Sequence, residues 1–286
     1  MNLLVVLDGL HHVDAQRLLA TLQAEARRLT LRRADLLFAP LPTVTQFAKE
    51  ALVKGVLPRD SAEAPPLGED ISESKSPLKK LEAGSPGDVF IWRIQEPDRT
   101  YHSRNGYDSL QDEVQGQLNT VAGKIADIVN QLSSRIALRV ILTSDHGRLL
   151  GTSQRSVPVP EGMQAHGRAA WGRTHLEYPL LPATCWMATW RICSANAFGL
   201  AEDVAIILDE SAFLTNDGKQ GSERYAHGGL FPEEVLVPWI ELERDVAPVQ
   251  ESRAFASRCG SPAKAERGSR VFSTFRSPTT TRLPSP

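Results

Sequence analysis

A chain of 286 residues with 41% hydrophobic and 23% charged residues is long enough to bury a full core, as one large α/β domain or two small ones. Its formal net charge of −2 argues against a dedicated nucleic-acid surface. Three cysteines without CxxC spacing (Cys185, Cys193, Cys259) exclude a disulfide framework, and no apolar run approaches a membrane span, so a soluble cytoplasmic protein is expected.

Residues 3–7 are five consecutive apolar residues, the pattern of a strand buried on both faces, and they end in Asp8-Gly9. An Asp before Gly is first of all a turn. A helix is expected from Asp14 as N-cap, with Leu18, Leu22, Ala26 and Leu29 on one face. His11 and His12 fall in the connecting loop and are assigned no role. Residues 35–39 read as a second strand leading into Pro40-Leu41-Pro42-Thr43-Val44-Thr45. Helical patterning then runs to Gly55, which makes Thr45 the N-cap and leaves Thr43 a step outside, bonded to local backbone. A hydroxyl at a helix start meets free backbone N–H groups, a setting that also suits phosphate binding or an alkoxide nucleophile. Residues 56–87 are dense in Pro, Ser and charge, and read as a surface insertion lying over the site or elsewhere.

Residues 88–94 form a third strand, followed by Asp98 and His102. Four residues apart, these two share a face if the segment is helical, the usual device for a common metal; otherwise they are an exposed polar loop. Leu110, Val114, Leu118, Val121, Ile125, Ile128 and Leu132 mark a long helix packed on the sheet. It delivers the chain to Arg139–Gly147, where an apolar strand breaks into Asp145-His146-Gly147. Polar groups at the carboxyl end of such a strand are where α/β sheets bind ligands, and Asp beside His offers an oxygen and a nitrogen to a divalent ion. Gly147 is read as permitting a sharp turn. The bland alternative is a strand-end loop.

Residues 151–173 read as a loop carrying His166 and an exposed Arg168, residues 186–192 and 204–208 as further strands, and 217–221 as a turn. His227-Gly228-Gly229 precedes a short helical turn at Pro232-Glu233-Glu234 and a final strand over 235–242. The domain is thus expected over residues 1–246. Residues 247–286 hold seven basic against two acidic residues, lack apolar periodicity, and read as a disordered tail, native or non-native.

The ordered set Asp8, Pro42-Thr43-Val44-Thr45, Asp98 with His102, Asp145-His146 and His227 resembles the alkaline phosphatase superfamily of binuclear metallo-hydrolases. The segment from Tyr225 to Pro238, Tyr-Ala-His-Gly-Gly-Leu-Phe-Pro-Glu-Glu-Val-Leu-Val-Pro, is similar to the PglZ domain of bacterial phage-defence (BREX) systems and some signalling proteins. The resemblance implies an α/β fold with an alkaline-phosphatase-like central mixed, mostly parallel sheet and helices on both faces. It implies that Asp98, His102 and His227 hold one metal, and Asp8, Asp145 and His146 the other, with Thr45 bridging. The ions would be two Zn²⁺, or Mn²⁺, about 4 Å apart. Thr45 would then be the nucleophile of a phosphatase or phosphodiesterase acting on a phosphate ester, a nucleotide or nucleic acid among the options. Sulfatase chemistry fits less well, since those relatives use Cys or Ser there with a basic residue close behind, and Lys49 is the first cation after Thr45. Tyr101 departs from the pattern, standing where the nucleotide pyrophosphatase/phosphodiesterase branch has Gly before its His. The chain is expected to be a fragment of a longer family member. The competing expectation is a metal-binding, non-catalytic assembly module that joins defence-complex proteins.

Overall fold

The computed structural model describes residues 1–103, 107–151, 153, 155–173, 189–195, 200–214 and 225–245. The first half of the chain supplies β1 (Asn2–Leu7), α1 (His12–Glu25), β2 (Leu29–Phe38), α2 (Thr45–Lys54), β3 (Glu69–Asp70), α3 (Pro77–Glu82), β4 (Val89–Ile94), α4 (Asp98–Ser103) and α5 (Tyr107–Gln131). The second supplies β5 (Arg139–Ser144), β6 (Ser156–Val157), β7 (Met163–His166), β8 (Ala169–Gly172), β9 (Trp190–Cys193), β10 (Asp203–Ile207), β11 (Ala212–Phe213), α6 (Pro232–Val235) and β12 (Leu236–Arg244).

Six strands make the central sheet in the order β2-β12-β5-β1-β4-β3. The pairs β5-β1, β1-β4 and β4-β3 are parallel, while β12 is antiparallel to both of its neighbours, so it alone runs against the rest. The alternation of β1 explains the layers. Leu3, Val5 and Leu7 face α1 and α5, packing with Leu18, Leu22, Leu118 and Ile125. Leu4 and Val6 face the other way, against Val53 of α2. Helices cover both faces because every second residue of this central strand needs an apolar partner on each side.

A second sheet of four strands, β7-β8-β10-β9, is antiparallel throughout. One of its faces, built on Ala169, Trp171, Val204 and Ile206, packs against Val44 and Phe47 at the start of α2. Phe47 meets Trp171 edge-on, with ring centroids 5.2 Å apart, a favoured aromatic geometry. The small sheet therefore braces the helix that begins at Thr45.

Several expectations change. The first helix starts at His12, and its N-cap is His11, whose Nδ1 accepts from the Val13 and Asp14 backbone N–H groups; Asp14 is a buried first-turn residue instead. Leu29 opens β2 rather than extending α1. β2 is ten residues long, not five, because β12 supplies a ladder along its whole length. Segment 56–87 contributes the edge strand β3 and buries Ile71 and Leu81 in the main core. Segment 151–173, expected as loop, carries β6, β7 and β8. The expected strand over 186–192 is described only as β9, and the 217–221 turn, Cys185, Cys259 and the 247–286 tail lie outside the described residues.

Candidate metal centre

The parallel register sets Leu7 of β1 level with Ile94 of β4 and Ser144 of β5, so the residues that follow each strand emerge at one edge of the sheet. Asp8 follows β1, Asp98 opens α4 after β4, and Asp145-His146 follow β5. β2 ends at the same edge, leading to Thr45, and β12, running the other way, begins there just after His227. Strand direction and register bring the ends of β1, β4 and β5 together, and α2, α4 and the loop before β12 carry Thr45, His102 and His227 to the same edge.

Local bonds fix the cluster. Ser144 Oγ accepts from the Leu10 N–H at 2.8 Å and donates to the Leu7 carbonyl at 2.7 Å, joining the ends of β1 and β5. Asp145 Oδ1 accepts from the Gly9 and His146 N–H groups at 3.3 and 3.2 Å. His146 places Nδ1 2.8 Å from the Gly147 carbonyl; an N–H there leaves Nε2 with its lone pair, and Nε2 lies 2.9 Å from Thr45 Oγ1 and 3.3 Å from Asp8 Oδ1. His227 repeats the device. Its Nδ1 lies 2.9 Å from the Thr43 carbonyl, and its buried Nε2 has no hydrogen-bond partner among the described residues. The rings of His146 and His227 stack with centroids 4.0 Å apart.

Thr45 is the first residue of α2, not its N-cap; Val44 occupies the cap without a side-chain bond. The hydroxyl is thereby free of capping, and it turns to Asp8 Oδ1 at 3.2 Å and to His146. Thr43 donates to the Gly229 carbonyl at 3.0 Å, a long-range tie to the His227 loop rather than a local turn bond. Gly147 is needed for close approach, not for its torsions: a Cβ there would lie 2.0 Å from the Glu233 carbonyl oxygen.

Charge is balanced within the cluster. Burial would raise the Asp98 carboxyl, but the His102 hydrogen bond and the Arg148 guanidinium hold it well below the usual range. Burial and the neighbouring Asp8 push Asp145 up to about 6 against the pull of His146. Burial would lower His146, yet Asp145 and Asp8 raise it to about 9, so in the ion-free cluster its Nε2 holds a proton that a divalent ion would displace to gain the lone pair. Burial and His146 push His227 far down, so it is a neutral imidazole with a free lone pair.

Four charged residues that local patterning does not single out support the site. Arg148 is fully buried; its Nη2 donates to Asp98 Oδ1 at 2.8 Å and to the Gly9 carbonyl at 2.9 Å, and its guanidinium lies 4.0 Å from the Tyr101 ring centroid. Tyr101 points away from the cluster into the core, donating to Asp14 Oδ2 at 2.7 Å, so its replacement of a Gly widens no pocket. Lys49, one helical turn after Thr45, pairs with Asp8 Oδ2 at 2.5 Å. Arg168, expected at the surface, is buried, with Nε on Glu234 Oε1 at 2.9 Å and Nη1 on the Ser211 carbonyl at 2.8 Å. Glu234 also accepts from the Gly229 and Phe231 N–H groups, which holds the His227 loop in place.

The residues fit a pair of divalent ions. Ligand atoms of Asp8, Asp145 and His146 lie within 4.8 Å of one another, as do those of Asp98, His146 and His227, and those of His102, His166 and His227. Asp145 Oδ2 and His227 Nε2 are buried without hydrogen-bond partners among the described residues, which is costly unless something else pairs them. Mixed carboxylate and imidazole ligands are the donor set of Zn²⁺ and its neighbours.

This architecture is alkaline-phosphatase-like. A murine ectonucleotide pyrophosphatase/phosphodiesterase 5 structure superposes with a TM-score of 0.57 at 15% identity, covering 85% of this chain and 87% of that one. Its inactive variant in complex with AMP gives 0.59 at 14%, with the same coverage. Phosphonoacetate hydrolase from Sinorhizobium meliloti 1021, in complex with phosphonoacetate, gives 0.55 at 10%, covering 84% and 89%. Residues 94–242 match the family described as the BREX system PglZ alkaline phosphatase-like domain, and the chain belongs to that family. It is 26% identical over 166 residues, 54% of its length, to the alkaline phosphatase-like protein BrxZ of Escherichia coli O9:H4 (strain HS), and it spans 17% of that protein's length. Among the described residues no helix is long and apolar enough to cross a membrane.

Proposed function

We propose that this PglZ domain is a metal-dependent phosphoric ester hydrolase with Thr45 as nucleophile, working within a bacterial BREX phage-defence system. The observation that carries the reading is the placement of the Thr45 hydroxyl, 2.9 Å from His146 Nε2 and 3.2 Å from Asp8 Oδ1, inside a buried group of carboxylates and imidazoles. A structural threonine at a helix start would cap the backbone; this one does not.

Asp8, Asp145 and His146 would hold one ion, and Asp98, His102 and His227 the other. When bound, such ions neutralise phosphoryl charge and favour the ionised form of a nucleophile. Asp8 and His146 fix the Thr45 oxygen, and the Asp8 carboxylate is placed to accept its proton. The oxygen attacks phosphorus, the bond to the ester oxygen breaks, and the alcohol leaves with a proton. Water then attacks the phosphorylated Thr45, releasing phosphate and restoring the hydroxyl. Lys49 pairs with Asp8 and offsets the negative charge of the carboxylates, and Thr45 stands at the start of α2, the end of a helix that favours an anion. The murine structural relative was solved with AMP and the bacterial one with phosphonoacetate, and two phosphorus-bearing ligands among proteins of this fold support a phosphate ester as the substrate class.

The deciding experiment is hydrolysis of chromogenic phosphate mono- and diesters by the purified chain, after chelation and after return of Zn²⁺ or Mn²⁺. Metal-restored hydrolysis that Thr45→Ala abolishes supports the reading. Tight metal binding without hydrolysis of either ester would replace it with a non-catalytic assembly module.

A further inference from the structure

The predicted ligand set leaves out one histidine that the fold carries to the cluster. His166 is the last residue of β7, at the tip of the β7-β8 hairpin, where it pairs with Ala169 across Gly167-Arg168. That hairpin belongs to the small sheet, not to the sheet whose strand ends supply the other ligands. Two backbone bonds pin its tip at the site: Arg168 N–H to the His227 carbonyl at 2.8 Å, and Phe213 N–H to the Gly167 carbonyl at 2.9 Å. The buried Arg168–Glu234 pair ties the same tip to the loop that presents His227.

The consequence is a cluster of imidazoles. The ring of His166 lies 5.1 Å from that of His227 and 6.1 Å from that of His102, while His102 and His227 are 5.6 Å apart. The interplanar angles, 54°, 58° and 70°, are those of tilted rather than stacked rings. One nitrogen from each lies within 4.8 Å of the other two. Tetrahedral nitrogen ligands at about 2.0–2.1 Å from Zn²⁺ stand roughly 3.3 Å from one another, and His102 and His166, both exposed, can close that gap by side-chain rotation. The third member is fixed: His227 is buried, with an Nε2 that lacks a hydrogen-bond partner among the described residues.

We infer that His166 is a further protein ligand of the ion held by His102 and His227, so that this position is bound by three imidazoles. This rests on the metal-dependent reading of the site. A set rich in imidazole selects Zn²⁺ over Mg²⁺, whose ligands are oxygens. If His166 holds the ion, it occupies a position that a substrate oxygen would otherwise compete for. The exposed side chain on a hairpin tip is the ligand best placed to leave.

The test compares wild-type protein, His166→Ala, and Gln164→Ala, the last altering an exposed residue of the same strand, after chelation and titration with Zn²⁺ and separately with Co²⁺. Readouts are the affinity of each position, the Co²⁺ absorption spectrum, and the number of imidazoles per zinc from X-ray absorption. Two ions in wild type, with one position weakened at least about tenfold in His166→Ala and untouched in Gln164→Ala, is the expected result. The Co²⁺ bands should change in shape and intensity, and the imidazole count should fall. Two ions in all three proteins with unchanged affinities and spectra overturns the role of His166 and leaves the hydrolase reading standing. Failure of wild type itself to bind metal overturns both.

Discussion

The two sheets contribute to the site in different ways. The six-stranded sheet places candidate ligands by register: Asp8 and Asp145 emerge level because Leu7 and Ser144 are level, and the Ser144 hydroxyl ties the two strand ends together. The four-stranded sheet places groups by buried charge. Its Arg168 is locked onto Glu234 beneath the His227 loop, and its Trp171 leans on Phe47, two residues beyond Thr45. The large sheet builds the centre, and the small one holds the centre's movable parts in place.

The largest effect should come from the large-sheet edge. Thr45→Ala is expected to lower hydrolysis by about a thousandfold or more, with metal content and melting temperature nearly unchanged. Thr43→Ala should cost far less, since its hydroxyl donates to the Gly229 carbonyl. If kinetics show Thr43→Ala dead and Thr45→Ala active, the nucleophile is misplaced by two residues.

Next, Glu234→Gln tests whether the small sheet works through buried charge. It leaves Arg168 without its counter-ion, and denaturant unfolding should show a loss of about 3–5 kcal/mol. His227→Ala separates support from ligation: elemental analysis should find one metal position emptied and the other filled, with smaller loss of stability than Glu234→Gln. Equal metal content in His227→Ala and wild type would remove His227 from the ligand set. At the far edge of the large sheet, Phe38 is 79% exposed. Phe38→Ser should shift the unfolding midpoint by no more than about 0.5 kcal/mol and leave hydrolysis alone.

What could be read in the sequence divides along the same line. Asp8, Asp98, Asp145 and His146 come after short apolar runs, which placed them at strand ends, but each alone reads equally as a turn or loop, and only their order along the chain, through the family resemblance, singled them out. Thr45 was legible as a helix-start hydroxyl, though one position off, because its side chain serves the site instead of the cap. Arg148 and Arg168 were not legible as buried groups. Arginine is exposed by default, and the groups that make burial tolerable, the Gly9 carbonyl, Asp98 and Glu234, are distant in sequence. The β7-β8 hairpin escaped notice for a related reason. Met163–His166 and Ala169–Gly172 are four residues each, without a β-branched residue, and gain their strand character from β10 and its neighbours. His11 was passed over because histidine is an uncommon helix cap.

Because β12 runs against the other strands, it is the start of this strand, with His227 just before it, that meets the end of β1. The residues of the centre therefore come from Asp8 near one end of the ordered domain and from the approach to its last strand. In chain order, Asp8, Thr45, Asp98 and Asp145-His146 all precede the His227 loop and the strand that lies between β2 and β5. A divalent ion bound by Asp98 and His146 together with His227 would act as a clasp between the early strands and the approach to β12, and its removal should speed the opening of β12.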